Sequence, residues 1–179
     1  MFTVKIFNWK DSNKKVNIEK AYTHFMDDET STACIKAIIQ YEKNIIKGFT
    51  NKNLKHNYFG CFSIDDEIHL YGKVKCYVCL FDNVYVGHVY IFEDKEIFNY
   101  DPKICYIQGI RKSCLTKVKG ISYILIDAIL KNESKSWFNV IEPLEMMQNV
   151  LDKMGFRDAG MYWIYSKKTL PSPEYKIEN

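Results

Sequence analysis

Two kinds of connection between extended segments restrict this chain to few folds. Tyr58 to Asp65, His69 to Phe81, Val84 to Glu93 and Ile104 to Arg111 read as successive strands, and the links Asp65-Asp66 and Asp82-Asn83 are turn chemistry. Connections this short cannot carry the crossover that parallel strands need, so these strands form an antiparallel meander. The pattern changes after Cys114. Gly120 to Lys131 sets Ile121, Ile124, Leu125, Ala128 and Ile129 on one helical stripe, and Trp137 to Ile141 is again extended. Strand, helix and strand then make a parallel β-α-β unit beside the meander. The expected fold is α+β, a single domain with a mixed central sheet flanked by about four helices.

The remaining segments fit that plan. Phe2 to Phe7 is a first strand. Val16 to Met26 and Ser31 to Ile46, the latter capped by Ser31 or Thr32, are two helices, and residues 50–57 form a polar loop. Pro143 starts a helix whose buried face is Met147, Val150, Leu151 and Met154; Gly155 closes it, and Met161 to Ser166 is a last strand. A chain of 179 residues that is 47% hydrophobic can bury one sizeable core. The domain is expected over residues 1–170, with a loose tail over 171–179. A net charge of +3 implies no polyanionic partner by itself. No stretch of eighteen apolar residues is present, and Met1 to Lys10 lacks the zones of a secretion signal, so a soluble, cytoplasmic protein is expected without membrane association. Its six cysteines then read as reduced thiols. Cys76 and Cys79, three apart on a strand, point to opposite faces and do not chelate one ion, so no metal is expected.

The chemistry concentrates between Ile110 and Ser122, where the chain reads IRKSCLTKVKGIS. Arg111, Lys112, Lys117 and Lys119 place four positive charges in nine residues with no acid among them, just before a hydrophobic helix. The helix dipole disfavours cations there by about 0.3 to 1 kcal/mol, and an anion would resolve the conflict. Free first-turn amides, a glycine permitting close approach and nearby lysines suit a phosphate group. The same residues also suit a solvated basic loop ahead of a core helix.

Lys117-Val118-Lys119-Gly120-Ile121-Ser122 resembles the coenzyme A loop of the GNAT acyltransferases, Arg/Gln-x-x-Gly-x-Gly/Ala. Lys153-Met154-Gly155-Phe156 is similar to the Lys-x-Gly-Phe that ends that family's closing helix. The resemblance covers roughly residues 84–166, about half of the chain. It implies a GNAT-like fold that transfers an acetyl or other acyl group from acyl-coenzyme A to an amine by direct attack in a ternary complex. It places cofactor contacts at Ile110, Lys112, Lys117, Val118, Lys119, Gly120, Ile121 and Ser122. The family often carries an Asn near the start of the closing helix and, four residues before its Gly-Phe glycine, a Tyr that protonates the departing thiolate. Leu144 and Leu151 stand at those places here. Either water or a tyrosine such as Tyr162 takes over that step, or the chain binds coenzyme A without efficient transfer.

An attacking amine must lose a proton. Glu142, just after strand 137–141, and His88, on the strand face expected to carry Val86, Tyr90 and Phe92, are candidates; each also suits a purely structural role. His24 and Tyr22 could touch an acceptor, which is a small-molecule or protein amine. Tyr58, Phe59 and Phe62 beside Lys52, Lys55 and His56, or the cluster at 111–119, leave nucleic acid open as a partner. Acceptor identity, acyl length and the choice between monomer and homodimer stay open.

Overall fold

Asp82 and Asn83 both adopt left-handed backbone (φ 49 and 63). This two-residue turn matches the twist of the strands it joins, as type I′ hairpins do. Around it the sheet assembles. The computed structural model describes residues 1–9, 16–49, 61–64, 67–70, 72–93, 100–113, 115–141, 143, 145–160, 162–165 and 175–179. In chain order these form β1 (Phe2–Asn8), β2 (Val16–Asn17), α1 (Ile18–Tyr22) with a 3-10 turn over Thr23–Phe25, α2 (Glu29–Phe49), β3 (Cys61–Ile64), β4 (Glu67–Leu70), β5 (Lys73–Phe81), β6 (Val84–Phe92) and β7 (Ile104–Lys112). There follow α3 (Ile121–Asn132), β8 (Trp137–Ile141), α4 (Glu145–Lys153), β9 (Arg157–Asp158), β10 (Tyr162–Tyr165) and β11 (Lys176–Glu178). The α+β class, the mixed sheet and the four helices are as expected. No helix among the described residues is long and apolar enough to cross a membrane.

The main sheet runs β11-β1-β5-β6-β7-β8-β10-β9. Strands β5, β6 and β7 are the antiparallel meander, and β7 pairs with β8 in parallel. Both faces of β5 are buried, which explains its nearly continuous apolar sequence. Tyr77 and Cys79 join the core under α3, whereas Cys76, Val78 and Leu80 join the core under α1 and α2. Cys76 and Cys79 therefore lie on opposite sides of the sheet.

Four details depart from the sequence reading. The strand expected over His69 to Phe81 is two strands, because Gly72 takes φ +66 and turns the chain; a Cβ there would lie 2.3 Å from the Phe92 ring. Strand β4 pairs with β2 and β3 in a separate small sheet, so the meander is shorter than expected. The first helix begins only at Ile18, where the Asn17 side chain accepts from the amides of Glu19 and Lys20, and it tightens to 3-10 geometry at Thr23. Asp28, rather than Ser31 or Thr32, caps α2: its carboxylate accepts from the Ser31 amide at 2.8 Å and from the Ser31 hydroxyl at 2.6 Å.

The C-terminal segment is a further departure. A loose tail was the expectation over 171–179, yet Lys176, Ile177 and Glu178 pair in parallel with Thr3, Val4 and Lys5 of β1. The anchor is Asp127, a buried acid on α3, which accepts from the Tyr175 hydroxyl at 2.7 Å and pairs with Lys131 at 2.9 Å. The closing of α4 is as expected. Gly155 (φ +89) lets its own amide reach the Asp152 carbonyl while the Phe156 amide reaches Leu151, a Schellman ending.

Gly87 fixes how close β6, β7 and α3 come. A Cβ on it would lie 2.6 Å from the Arg111 carbonyl oxygen and 2.9 Å from Ile121 Cγ2. Backbone cannot yield as a side chain can. Gly87→Val is therefore expected to lower stability by about 1 to 3 kcal/mol, the usual range for overpacking, measured by urea unfolding; an unchanged midpoint would contradict this contact.

Candidate functional site

Strand β7 carries one residue too many for its neighbour. His88 faces Arg111 and Tyr90 faces Gln108, so two steps on β6 span three on β7, and the excess is absorbed where Gly109 takes φ +66. On its other side β7 stays paired with β8 only as far as Ile107 and Val140. Beyond that the parallel ladder stops. The end of β7 thus leaves β8 and opens a groove of about 450 Å³.

Five elements line the groove: Gly109 to Lys112 of β7, Gly120 to Tyr123 at the start of α3, Val140 and Ile141 of β8, Met146, Met147 and Val150 of α4, and Tyr41 and Ile45 of α2, with Pro143 between β8 and α4. Its walls are mostly apolar. One end is different. Gly120 is the N-cap of α3 with φ 82, no side chain caps the helix, and no acid stands in its first turn. The first-turn amides have no acceptor within the helix by its geometry, and a Cβ built on Gly120 meets nothing within 4 Å. An uncapped helix start beside open space, at the mouth of an apolar groove, fits a ligand with an anionic head and a long arm.

The structure divides the residues expected to hold that ligand. Ile110, Lys112, Gly120, Ile121 and Ser122 meet on the groove. Lys117 and Lys119 are exposed outside its lining; Val118 packs partly against the core, and its amide donates to the Thr116 hydroxyl at 3.1 Å. Arg111, counted with the basic cluster, is separated from it. It is buried, and its Nε lies 3.9 Å from Glu42 Oε1.

Glu42 belongs to a polar group enclosed between α2 and the sheet. His88, fully buried, lies with Nε2 3.0 Å from Glu42 Oε1 and Nδ1 2.7 Å from the Tyr85 hydroxyl. Burial would raise the Glu42 carboxyl, but the His88 hydrogen bond and the charges of His88, Arg111 and Lys73 hold it below its ordinary value. Burial pushes His88 down, aided by Arg111 and Lys73 and opposed by Glu42. Near neutral pH the pair is a carboxylate and a neutral imidazole. The imidazole donates from Nε2 and accepts the Tyr85 proton at Nδ1. Val86 does not share this face. Cys79 pairs with Gly87 and Leu80 with Tyr85, leaving Val86 as the bulged residue on the α3 side. Glu42 escaped the sequence reading, although it continues the α2 stripe of Ile35, Ile38 and Ile39; a carboxylate on a buried stripe was the available signal.

The other candidates fall elsewhere. Glu142 and Leu144 lie outside the described residues, as do residues 50–60 with most of the aromatic and basic group considered for nucleic acid. Tyr162 pairs with Ile141 across β10 and β8, and its side chain is outside the description. Tyr22 is fully buried against Trp9 and Phe7 and cannot touch an acceptor, whereas His24 is exposed and stacks on Phe25. Leu151 is wholly buried in the core.

No protein-family model and no curated protein matches the chain. Solved structures are similar to it in outline. An acetyltransferase of the GNAT family from Bacillus cereus is 18% identical, covers 96% of this chain and 99% of its own, and has a TM-score of 0.48. The N-acetyltransferase PseH of Campylobacter jejuni, in complex with acetyl coenzyme A, is 14% identical over 94% of this chain and 100% of its own (TM-score 0.43). NAA60 of Arabidopsis thaliana, in complex with a bisubstrate analogue, is 12% identical over 74% and 95% (TM-score 0.47).

The state of His88 has a measurable consequence. Unfolded, its imidazole titrates near the usual value of about 6.5; folded, it titrates lower, so the unfolded chain binds more protons as pH falls through that region. The stability held in the neutral ring is complete above about pH 6.5 and is lost below it, and Glu42 adds a second loss below its unfolded value of about 4.3. His88→Gln should flatten the fall in urea midpoint between about pH 6.5 and 5. Equal slopes in both proteins would mean that His88 is not held neutral.

Proposed function

We propose that the chain is an acyl-coenzyme A-dependent N-acyltransferase of the GNAT type. The observation that carries this reading is one continuous groove, opened by the β7 bulge and ending at the uncapped start of α3. The amides of Ile121, Ser122 and Tyr123 and the Lys112 side chain would hold a diphosphate. The apolar walls from β8 and α4 would enclose the pantetheine arm and exclude water. Bound there, acyl-coenzyme A supplies an activated thioester. Past Ile107, β7 amides no longer engaged by β8 would polarise the acyl carbonyl, and the remaining contribution is placement of an amine against it. The acceptor is a small-molecule or protein amine approaching from the side of Tyr41 and Ile45.

A second reading has one observation in its favour. Leu151 stands where the resemblance expects a proton donor, and it is buried; the chain would then hold acyl-coenzyme A with little transfer. Thiol release in the presence of an amine panel separates the two. Nucleic acid as the partner of the basic segment loses support, since Arg111 turns inward to Glu42.

Calorimetric titration with acetyl-coenzyme A tests what both readings share. Binding is expected in the native chain. Gly120→Leu must bear a side chain at φ +82 and fill the space beside the first-turn amides. It should weaken binding at least about tenfold, or about 1.4 kcal/mol, while retaining the native circular dichroism spectrum. Undiminished binding by that variant would move the diphosphate away from α3.

A further inference from the structure

A polar atom shut away from water without a partner destabilises a fold, so one that persists calls for an explanation. Two such atoms stand on neighbouring strands of the main sheet. The side-chain oxygens of Gln108 on β7 and Asn139 on β8 are buried, and neither finds a hydrogen-bond donor among the described residues. Asn139 as a whole is only 7% exposed.

Strand register fixes which way both side chains project. Gln108 lies opposite Tyr90, which belongs to the core under α1 and α2, whereas its neighbour Ile107 belongs to the core under α3. Asn139 pairs with Tyr106 and sits between Phe138 and Val140, both in the α3 core, so it too projects away from α3. Both carboxamides therefore stand on the α2 face of the sheet, and they flank the point where β7 and β8 part. The ladder ends at Ile107 and Val140; Gln108 is the first residue of β7 beyond it, and Asn139 immediately precedes Val140. The residues that follow them, Gly109 and Ile110 on one strand and Val140 and Ile141 on the other, line the groove, and α2 adds Tyr41 and Ile45.

We propose that Gln108 and Asn139 bind the acceptor, their carboxamide oxygens accepting the N–H bonds of a primary amine and aiming its lone pair at the acyl carbon. This rests on the acyl-coenzyme A reading above and names the seat of the amine within it. A carboxamide oxygen accepts hydrogen bonds without taking up a proton near neutral pH, so it orients the nitrogen and leaves it free to react. A carboxylate in its place would favour the ammonium form, whose lone pair is occupied. Two oxygens on adjacent strands match the two N–H bonds of a primary amine. As the nitrogen bonds to the acyl carbon, the carbon–sulfur bond breaks with its electron pair on sulfur, and the surplus amine proton passes to solvent.

The test uses the chain saturated with free coenzyme A, which carries no acyl group to transfer, and n-butylamine as the probe. The side-chain amide resonances of Gln108 and Asn139, assigned in the isotope-labelled chain, should move saturably with n-butylamine. They should stay in place with n-butyltrimethylammonium, which is also a cation but has no N–H bond. Gln108→Leu and Asn139→Leu should each weaken n-butylamine binding about tenfold, the loss of one hydrogen bond, with coenzyme A affinity unchanged by calorimetry. Both should also raise the urea midpoint, because leucine keeps the bulk and removes a polar atom that the fold leaves unpaired. If n-butylamine leaves both resonances in place on the coenzyme-loaded chain, the proposal falls and the binding reading stands. A midpoint lowered in both variants would equally overturn it, since the carboxamides would then serve the fold. A native chain that binds no coenzyme A would overturn both readings. The native resonances answer the question even if a variant does not fold.

Discussion

A mismatch of one residue between β6 and β7 governs the architecture of the candidate site. Because Gly109 tolerates left-handed backbone, the strand can take up the extra residue without losing its pairing to β6 on either side. The redirected strand gives up its parallel partner after Ile107. Everything proposed about ligand binding follows from that divergence: a fully paired β7 and β8 would leave no groove, and the start of α3 would face a closed sheet. One backbone conformation thus converts a strand junction into a place for a molecule.

The cost of the opening appears on the other face. Parting two strands leaves the end of β7 supported by β6 alone, and the group of Glu42, His88, Tyr85 and Arg111 braces it there. A carboxylate wholly removed from water is expensive, and it survives because an imidazole donates to it and cations surround it. Burial and the neighbouring cations keep the imidazole neutral against the pull of Glu42, which spares the interior a further charge. Stability and site geometry are therefore coupled through Glu42. It belongs to α2, yet its effects fall on β6 and β7.

Much of this was legible in the residues, and the gaps have physical reasons. Local signals with a single geometric solution read correctly: Asp82-Asn83 as a tight turn, Gly155 as a helix end, the α3 stripe, and Trp137 to Ile141 as a strand parallel to β7. Gly120 could be placed at a helix start because glycine there has few other uses. What failed depended on partners distant in sequence. Nothing near His69 reveals that a Phe92 ring allows only glycine at position 72, and nothing in Lys176 to Glu178 announces an unoccupied edge on β1. The bulge at Val86 shifted one side chain to the other face, as any slip of one residue must. Glu42 stands on an apolar stripe, where one polar residue leaves the helical pattern intact and so gives a weak signal.

The contact at Gly87 carries its own implication. Ile121 opens α3 and Arg111 lines the groove, and a Cβ at position 87 would strike the side chain of the first and the carbonyl of the second. The turn proposed to hold an anionic head and the strand proposed to face the reacting centre are thus seated on the same spot. Any attempt to breed a variant for a bulkier donor, by shifting the helix outward, would drag the floor along with it. Positions 87, 111 and 121 form one unit of inheritance: a library that varies them singly would return mostly failures, and one that varies them jointly would reach shapes the single changes cannot.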